Sequence, residues 1–332
     1  MSTIKTSLLR EDEQRSAATP PTLNILLDET VTSLQNIRKQ WRSIQGRKEF
    51  INLALPSPSL LQQIIIHLKT ALFPRRLGRI DLETHDEDNF VRQHLLSGLL
   101  DLQQQINLEI RHKAALADEY FNIAELKNKV DAILKDLLTQ LPSIRSILEE
   151  DLLAALRGDP ASKSTDEILL SYPGWNAIFH YRLAHFFYGH GLNIVARVIA
   201  ELAHGDTGID IHPGAQIGSG LFIDHGTGVV IGETAIIGKN VRIYQAVTLG
   251  AKRFTEDENG HLHKGQARHP IIENDVVIYA GATILGRVTI GRGSIIGGNV
   301  WLTHSVPEGS QISQAVTRNA SPDEFFINGA GI

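Results

Sequence analysis

The sequence predicts an α+β protein, an α-helical N-terminal half followed by a β-solenoid of six-residue units. Three observations carry this. Up to about residue 204 the apolar residues recur at helical spacing, and from Ile209 onward they recur every six residues. That second rhythm breaks once, by two residues, at an Asp-His pair. The expected boundaries are a flexible tail over residues 1–22, a helical domain over 23–205, the solenoid over 206–316 with a loop insertion at 251–270, and a C-terminal tail over 317–332.

In the helical half, Leu95, Leu99, Leu102, Ile106 and Ile110 mark one face of a helix. Pro142 and Ser143, with Ser146 and Glu149 beyond, read as a helix start before "ILEEDLLAAL". The stretch "GWNAIFHYRLAHFFYGHG" places Trp175, Ile178, Phe179, Leu183 and Phe186 on one side and ends at Gly189 and Gly191. Leu192, Val195, Ile199 and Leu202 then start another stripe. None of these helices by itself announces chemistry.

In the second half, Ile211, Ile217 and Ile223 lie six apart, as do Ile231, Ile237, Ile243 and Leu249. After a gap the beat returns at Ile272, Ile278, Ile284, Ile290, Ile296 and Leu302. Neither a helix nor an ordinary strand repeats at six. A solenoid with three short sides per coil does, each first-position side chain pointing into a central stack. From Ile223 to Ile231 the step is eight, and the excess carries Asp224 and His225. A coil with two extra residues must bulge and can turn a side chain outward, with Gly226 and Gly228 supplying backbone freedom. An ordinary polar corner is the structural alternative.

Composition narrows the class. The chain has 332 residues, 42% hydrophobic and 21% charged, and a net charge of −5 gives no global pull toward nucleic acid or an anionic membrane. No apolar run approaches the roughly 20 residues of a membrane span, and "MSTIKTSLLREDEQRSAATPPT" lacks the apolar core of a signal peptide. A cytoplasmic location is expected. The absence of cysteine excludes disulfides, thiolate metal sites and a Cys nucleophile. Met1 is the single methionine, which fits either chance composition or selection against sulfur.

The repeat resembles the hexapeptide family of left-handed parallel β-helix acyltransferases. From about Asp159 to Val306 the chain is more specifically similar to the serine O-acetyltransferases. "DIHPGAQIGSGLFIDHGTGVVIGETAIIG" is similar to that family's signature over its whole length, and "ARHPII" resembles a second one. The resemblance implies transfer of an acetyl group from acetyl-CoA to the hydroxyl of L-serine, giving O-acetyl-L-serine and CoA for cysteine synthesis.

That reaction needs a base for a hydroxyl that is a poor nucleophile, and a carboxylate to orient the base. His225 is the candidate base, and the resemblance pairs it with Asp210, fifteen residues earlier. Capping of the helix-to-solenoid junction is the structural alternative for Asp210. By the same resemblance Arg268 binds the substrate carboxylate with His269 beside it, while Asp224 and Asp159 hold the ammonium. Read alone, the Asp-Pro of "RGDPAS" is only a turn signal. Acetyl-CoA is implied to run along a groove past Gly250, Ala280 and Gly298, with a backbone N–H near Gly250 as oxyanion donor. No metal is expected.

Departures fall around this core. "AKRFTEDENGHLHKGQA" is longer than the family's Gly-rich link, carries Phe254, His261 and His263, and reads as a lid. Ala251 replaces a usual Gly, and "ISQAVTRN" does not match the usual ending of the β-helix. Three other readings compete: a zinc carbonic anhydrase on the same fold, a sugar or antibiotic acetyltransferase, and a scaffold without activity. "HLH" has no third histidine at coil spacing. Arg268 and the helical half argue against a sugar substrate, and the Asp-His pair argues against a scaffold.

Flat faces predict trimers, and the resemblance implies active sites shared between subunits, with a dimer of trimers as the larger assembly. It also implies feedback inhibition by cysteine at the serine site. The tail "SPDEFFINGAGI" resembles family endings whose Ile enters the active site of O-acetylserine sulfhydrylase, making Ile332 an expected docking residue.

Overall fold

The computed structural model describes residues 21–44, 54–78, 82–117, 122–252 and 265–314. Phe254, His261 and His263 of the long insertion, and the tail with Ile332, lie outside these residues. The chain divides into two compact units, Met1–Leu53 and Ala54–Ile332. In the first, α1 (Pro21–Ile44) begins inside the segment expected to be a loose tail. Leu23, Leu27, Leu34, Ile37 and Trp41 on α1 are all exposed.

The second unit opens with α2 (Pro58–Leu72), the one-turn α3 (Pro74–Leu77) and α4 (Glu87–Leu116). It continues through α5 (Ile123–Gly158), α6 (Thr165–Ser171), α7 (Pro173–Gly189) and α8 (Asn193–Thr207). The α4 stripe falls as expected: Leu102, Ile106 and Ile110 are buried, with Leu95 and Leu99 packed against them. Pro142 does not start a helix. It lies inside α5, whose start is set twenty residues earlier by a reciprocal cap between Asn122 and Glu125. Continuous burial of Val130, Ile133, Leu137, Leu141, Ile144, Leu148 and Leu152 carries the helix across the missing N–H. Nor is α7 one-sided. His180, Tyr181, Arg182 and Ala184 are buried together with the expected stripe, because α7 is the central helix between the others and the solenoid.

Among the described residues fourteen short strands follow, each parallel to its neighbours. The first sheet holds β1 (Asp210–Ile211), β4 (Val230–Ile231), β7 (Thr248–Gly250), β10 (Thr283–Leu285) and β13 (Trp301–Leu302). The second holds β2 (Gln216–Ile217), β5 (Ile236–Ile237), β8 (Ile271–Ile272) and β11 (Thr289–Ile290). The third holds β3 (Phe222–Asp224), β6 (Arg242–Tyr244), β9 (Val277–Ile278), β12 (Ile295–Ile296) and β14 (Gln311–Ile312). Each coil visits the three sheets in turn, making a parallel β-helix behind a helical N-terminal domain. Its first-position residues form the interior stack: Ile231, Ile237, Ile243, Leu249, Ile272, Ile278, Ile284, Ile290 and Ile296 are each at most 2% exposed.

Helix α7 is welded to the first coil. Tyr181 donates its hydroxyl to the Ala215 carbonyl at 2.6 Å, and Arg182 donates to the carbonyls of Ile217 and Gly218. The Arg182 guanidinium is also paired with buried Asp151 of α5, which in turn accepts the Leu221 N–H at 2.9 Å. At the start of α7, a Cβ on Gly174 would stand 2.0 Å from the Ile223 carbonyl oxygen, so only glycine permits this approach. Both α5 and α7 therefore close onto β3, the strand that leads into His225.

Candidate active site

The rhythm break is a two-residue insertion at one corner. Asp224 lies opposite Tyr244, and Val230 lies opposite Thr248. Five residues join the first members of these pairs and three join the second, so the upper coil carries two more. His225 and Gly226 take up the excess in the left-handed region, with φ of 57° and 85°. A Cβ on Gly226 would sit 2.4 Å from Ile209 Cδ1, so position 226 needs glycine on steric as well as conformational grounds. His225 has no such exemption. Its conformation costs of order 1–3 kcal/mol and is held by the ladder on either side. The result is an imidazole with a 73% exposed side chain, its Nε2 3.9 Å from Oδ1 of Asp224, which is only 16% exposed.

Asp159 joins this corner. It ends α5, where its Oδ1 accepts the Ala161 N–H at 2.8 Å and its Oδ2 accepts the Tyr172 hydroxyl at 2.5 Å. The Tyr172 bond, then the Ala161 N–H, hold Asp159 below the usual carboxylate range, with His225 and Arg242 adding to the effect. The same bond pushes the Tyr172 hydroxyl up to about 12. Two carboxylates thus flank His225, with Asp159 kept ionised.

Arg268 and His269 form a second cluster, at the opposite edge of the first sheet. Arg268 Nη2 reaches Glu233 Oε2 at 2.6 Å, and Tyr188 donates to Glu233 Oε1 at 2.9 Å. Burial works to raise Glu233, but the bonds from Arg268 and Tyr188 outweigh it and hold the carboxyl low. His269 Nδ1 accepts the Thr234 backbone N–H at 3.1 Å, and Thr234 Oγ1 is 2.9 Å away. Accepting at Nδ1 leaves Nε2 as the protonated nitrogen of a neutral ring. Burial, followed by the Arg268 charge, lowers His269 to about 4, which fixes that neutral form.

The strand β4 lies between His225 and Glu233, so the two clusters face different edges of the solenoid and do not meet within one chain. Asp210 is also not joined to His225 within the chain. The ladder brings their segments to adjacent coils through the Gly228 N–H and the Gly208 carbonyl at 2.8 Å. Among the described residues, however, the Asp210 carboxylate neighbours Glu201 and His204 and makes no hydrogen bond or ion pair with His225. The donor atoms of Glu201, His204 and Asp210 lie within 4.8 Å of one another, and Glu201 is already engaged by Arg197 at 2.7 Å and His204 at 3.2 Å. Ala280 and Gly298 fall on the His225 corner, one coil apart, with the Asn299 N–H donated to the Ala280 carbonyl at 2.8 Å. Gly250 lies across the sheet on the Arg268 side, its carbonyl accepting the Gly286 N–H at 2.9 Å.

Sequence reading missed Tyr172, Tyr188, Glu233 and Thr234. The last two sit in the quoted "IGETAIIG", where the polar pair after the coil's Gly was the available signal. The two tyrosines gave none: Tyr188 is an ordinary residue of α7 and Tyr172 the single residue between α6 and α7, and neither shows its partner until these helices dock.

A coil of hexapeptide repeats carrying an outward histidine between carboxylates is the arrangement of a hexapeptide-repeat acyltransferase. Residues 269–304 match the family model described as bacterial transferase hexapeptide (six repeats), and residues 85–179 match that of the serine acetyltransferase N-terminal domain. The chain is 52% identical over 280 residues to a plasmid serine acetyltransferase of Synechococcus elongatus, covering 84% of this chain and 86% of that one. A Helicobacter pylori serine acetyltransferase is 44% identical over 53% of this chain and 98% of its own. Among solved structures, Entamoeba histolytica serine acetyltransferase isoform 3 in complex with cysteine has a TM-score of 0.62 at 34% identity, covering 80% of this chain and 87% of that one. Serine acetyltransferase 1 of the same organism, in complex with L-cysteine, has a TM-score of 0.63 at 34% identity, covering 77% and 97%. The chain belongs to the serine acetyltransferase family.

Proposed function

We propose that the protein transfers the acetyl group of acetyl-CoA to the hydroxyl of L-serine, with His225 as the base. The observation that carries this is the two-residue insertion that turns His225 out of the stack beside Asp224 and Asp159. The serine ammonium is held by those two carboxylates. His225 takes the hydroxyl proton as the oxygen attacks the thioester carbon, forming the C–O bond. Collapse of the tetrahedral intermediate breaks the C–S bond, and the imidazolium returns its proton to the departing thiolate. The products are O-acetyl-L-serine and CoA, the former a carbon skeleton for cysteine synthesis.

The substrate carboxylate goes to Arg268, held in line by Glu233, and to the Nε2–H of neutral His269. Because these two lie at the other edge of the sheet, a complete site requires a second copy of the chain, the arrangement of a homotrimer or a dimer of trimers. Asp210 orients His225 once the exposed ring turns toward the adjacent coil. Gly250 lies on the Arg268 side and marks the oxyanion position, while Ala280 and Gly298 line the cosubstrate groove beneath His225. Cysteine, which shares the ammonium and carboxylate of serine, competes at the same site. The reading places the reaction in the cytoplasm; among the described residues no helix is long and apolar enough to cross a membrane.

The test is thiol release from acetyl-CoA on addition of L-serine to the purified protein, followed with a thiol-reactive dye. Serine-dependent release with stoichiometric O-acetylserine supports the reading, and its absence ends it.

A further inference from the structure

The first compact unit, Met1–Leu53, takes no part in the chemistry above. Its helix α1 has 24 residues, roughly 36 Å of helix. It lies upstream of residues 85–179, the part that matches the serine acetyltransferase N-terminal domain. Along α1, Leu23, Leu27, Thr30, Leu34, Ile37 and Trp41 are spaced four, three, four, three and four, the steps of a coiled-coil seam. The five apolar members are each 48–57% exposed. Leu26 and Val31 flank the seam, and of the exposed apolar residues described on α1 only Ile25 points away from it. Helices in proteins draw most of their stability from burying such a face, and a continuous open stripe of this kind marks an interaction surface.

The pattern itself specifies the partner. Its steps read the same in reverse, so a second α1 running the opposite way meets it residue for residue. Leu23 then lies against the partner's Trp41, Leu27 against the partner's Ile37, and Thr30 against the partner's Leu34. Two copies in parallel would instead meet like with like. That arrangement stacks Trp41 on the partner's Trp41 and Thr30 on the partner's Thr30. It also sets the acidic Asp28–Glu29 pairs side by side, and likewise the basic Arg38–Lys39 pairs. Antiparallel pairing avoids all of these. It puts larger against smaller side chains along the seam. It also brings Asp28 onto the same flank as the partner's Arg38, within one turn, and opposes the two helix dipoles. We propose that α1 is a self-association element, pairing with α1 of a second copy of the chain as an antiparallel coiled coil in this register. The interface is separate from any contact made by residues 85–179 or by the solenoid, and it stands whether or not the chain acetylates serine.

The chain has no cysteine, so introduced thiols report on this contact without background. Positions 23 and 41 are separated by about 27 Å along one helix, too far for a disulfide within it. In the full-length protein, Leu23→Cys/Trp41→Cys should give a covalent dimer on mild oxidation, read on a non-reducing gel. Leu27→Cys/Ile37→Cys, which leaves a different set of seam residues intact, should do the same. Each of the four single variants should run as monomer. Leu23→Cys/Ile37→Cys, out of register by one turn, should give little dimer. Adding Leu34→Glu to either in-register pair should abolish its dimer while the melting of the protein stays unchanged. Dimers from the single variants would establish a parallel pair and overturn the proposal. So would the absence of dimer from both in-register pairs. Thiols slow to react with maleimide would in that case show α1 packed on its own chain, and freely reactive thiols would show an open helix.

Discussion

Tyr172 donates its hydroxyl hydrogen to Asp159 at 2.5 Å, and this bond ties the end of α5 to the start of α7 beside His225. It does electrostatic as well as structural work, since it is the first cause of the lowered Asp159. Tyr172→Phe removes the bond and leaves the ring. The expected result is a three- to tenfold higher KM for serine with kcat nearly retained, the loss of one hydrogen bond to a charged binding group. Steady-state kinetics with serine varied at saturating acetyl-CoA checks it. An equal fall in kcat would place Tyr172 in the chemical step instead.

The base has a larger expected effect. His225→Ala should lower kcat by roughly 10²–10⁴-fold, the usual worth of a positioned general base, while circular dichroism and melting stay close to wild type because the side chain is exposed. Near-normal kcat would remove His225 from the mechanism. Asp210→Asn should lower kcat less and leave CoA affinity intact. Should that variant fail to fold, Asp210 is a junction cap and its orienting role is wrong.

The weld between α7 and the first coil predicts a stability effect. Asp151 is carried up to about 6 by burial, against the pull of Arg182 and two backbone N–H groups, so it is ionised at neutral pH. Asp151→Ala leaves the buried Arg182 guanidinium uncompensated and should cost about 3–5 kcal/mol, read by urea denaturation at pH 7.5. Replacing both partners with Leu and Met should cost less than the single change, because no orphan charge remains. A double variant worse than the single one would contradict that account.

How much of this could be read from residues alone depends on the range of the interaction. The six-residue beat is local, so the interior stack from Ile231 to Ile296 was legible, as was the insertion at His225, which is a property of spacing alone. Pro142 misled because a local start signal was outweighed by a long buried face on both sides of it. Asp151, Arg182 and Tyr172 were invisible for a different reason. Their partners lie 13 to 70 residues away and are set by how helices dock on a coil, which no local pattern records.

His269 makes a prediction about pH. Its folded value of about 4 lies below the ordinary 6.5, so between those values the unfolded chain binds the additional proton. Stability from this group is therefore complete above about pH 6.5 and is lost as pH falls through about 4. In urea titrations from pH 7 to pH 4, His269→Gln should flatten the acid-side decline relative to wild type. An unchanged slope would show that His269 is not held neutral.

Finally, the separation of the two clusters predicts complementation. His225→Ala and Arg268→Ala should each be nearly inactive alone. If a site takes His225 from one subunit and Arg268 from its neighbour, co-refolding the two variants in equal amounts restores some sites. A given site is intact when the first subunit carries the Arg268 change and the second carries the His225 change. Random mixing gives one half times one half, so about a quarter of wild-type activity should return. The measurement is thiol release before and after co-refolding, with sedimentation confirming that assemblies form. Recovery near a quarter requires a shared site. Assembly without recovery would mean that His225 and Arg268 act within one chain, and the separation seen across β4 would then have to close by a rearrangement of the corner itself.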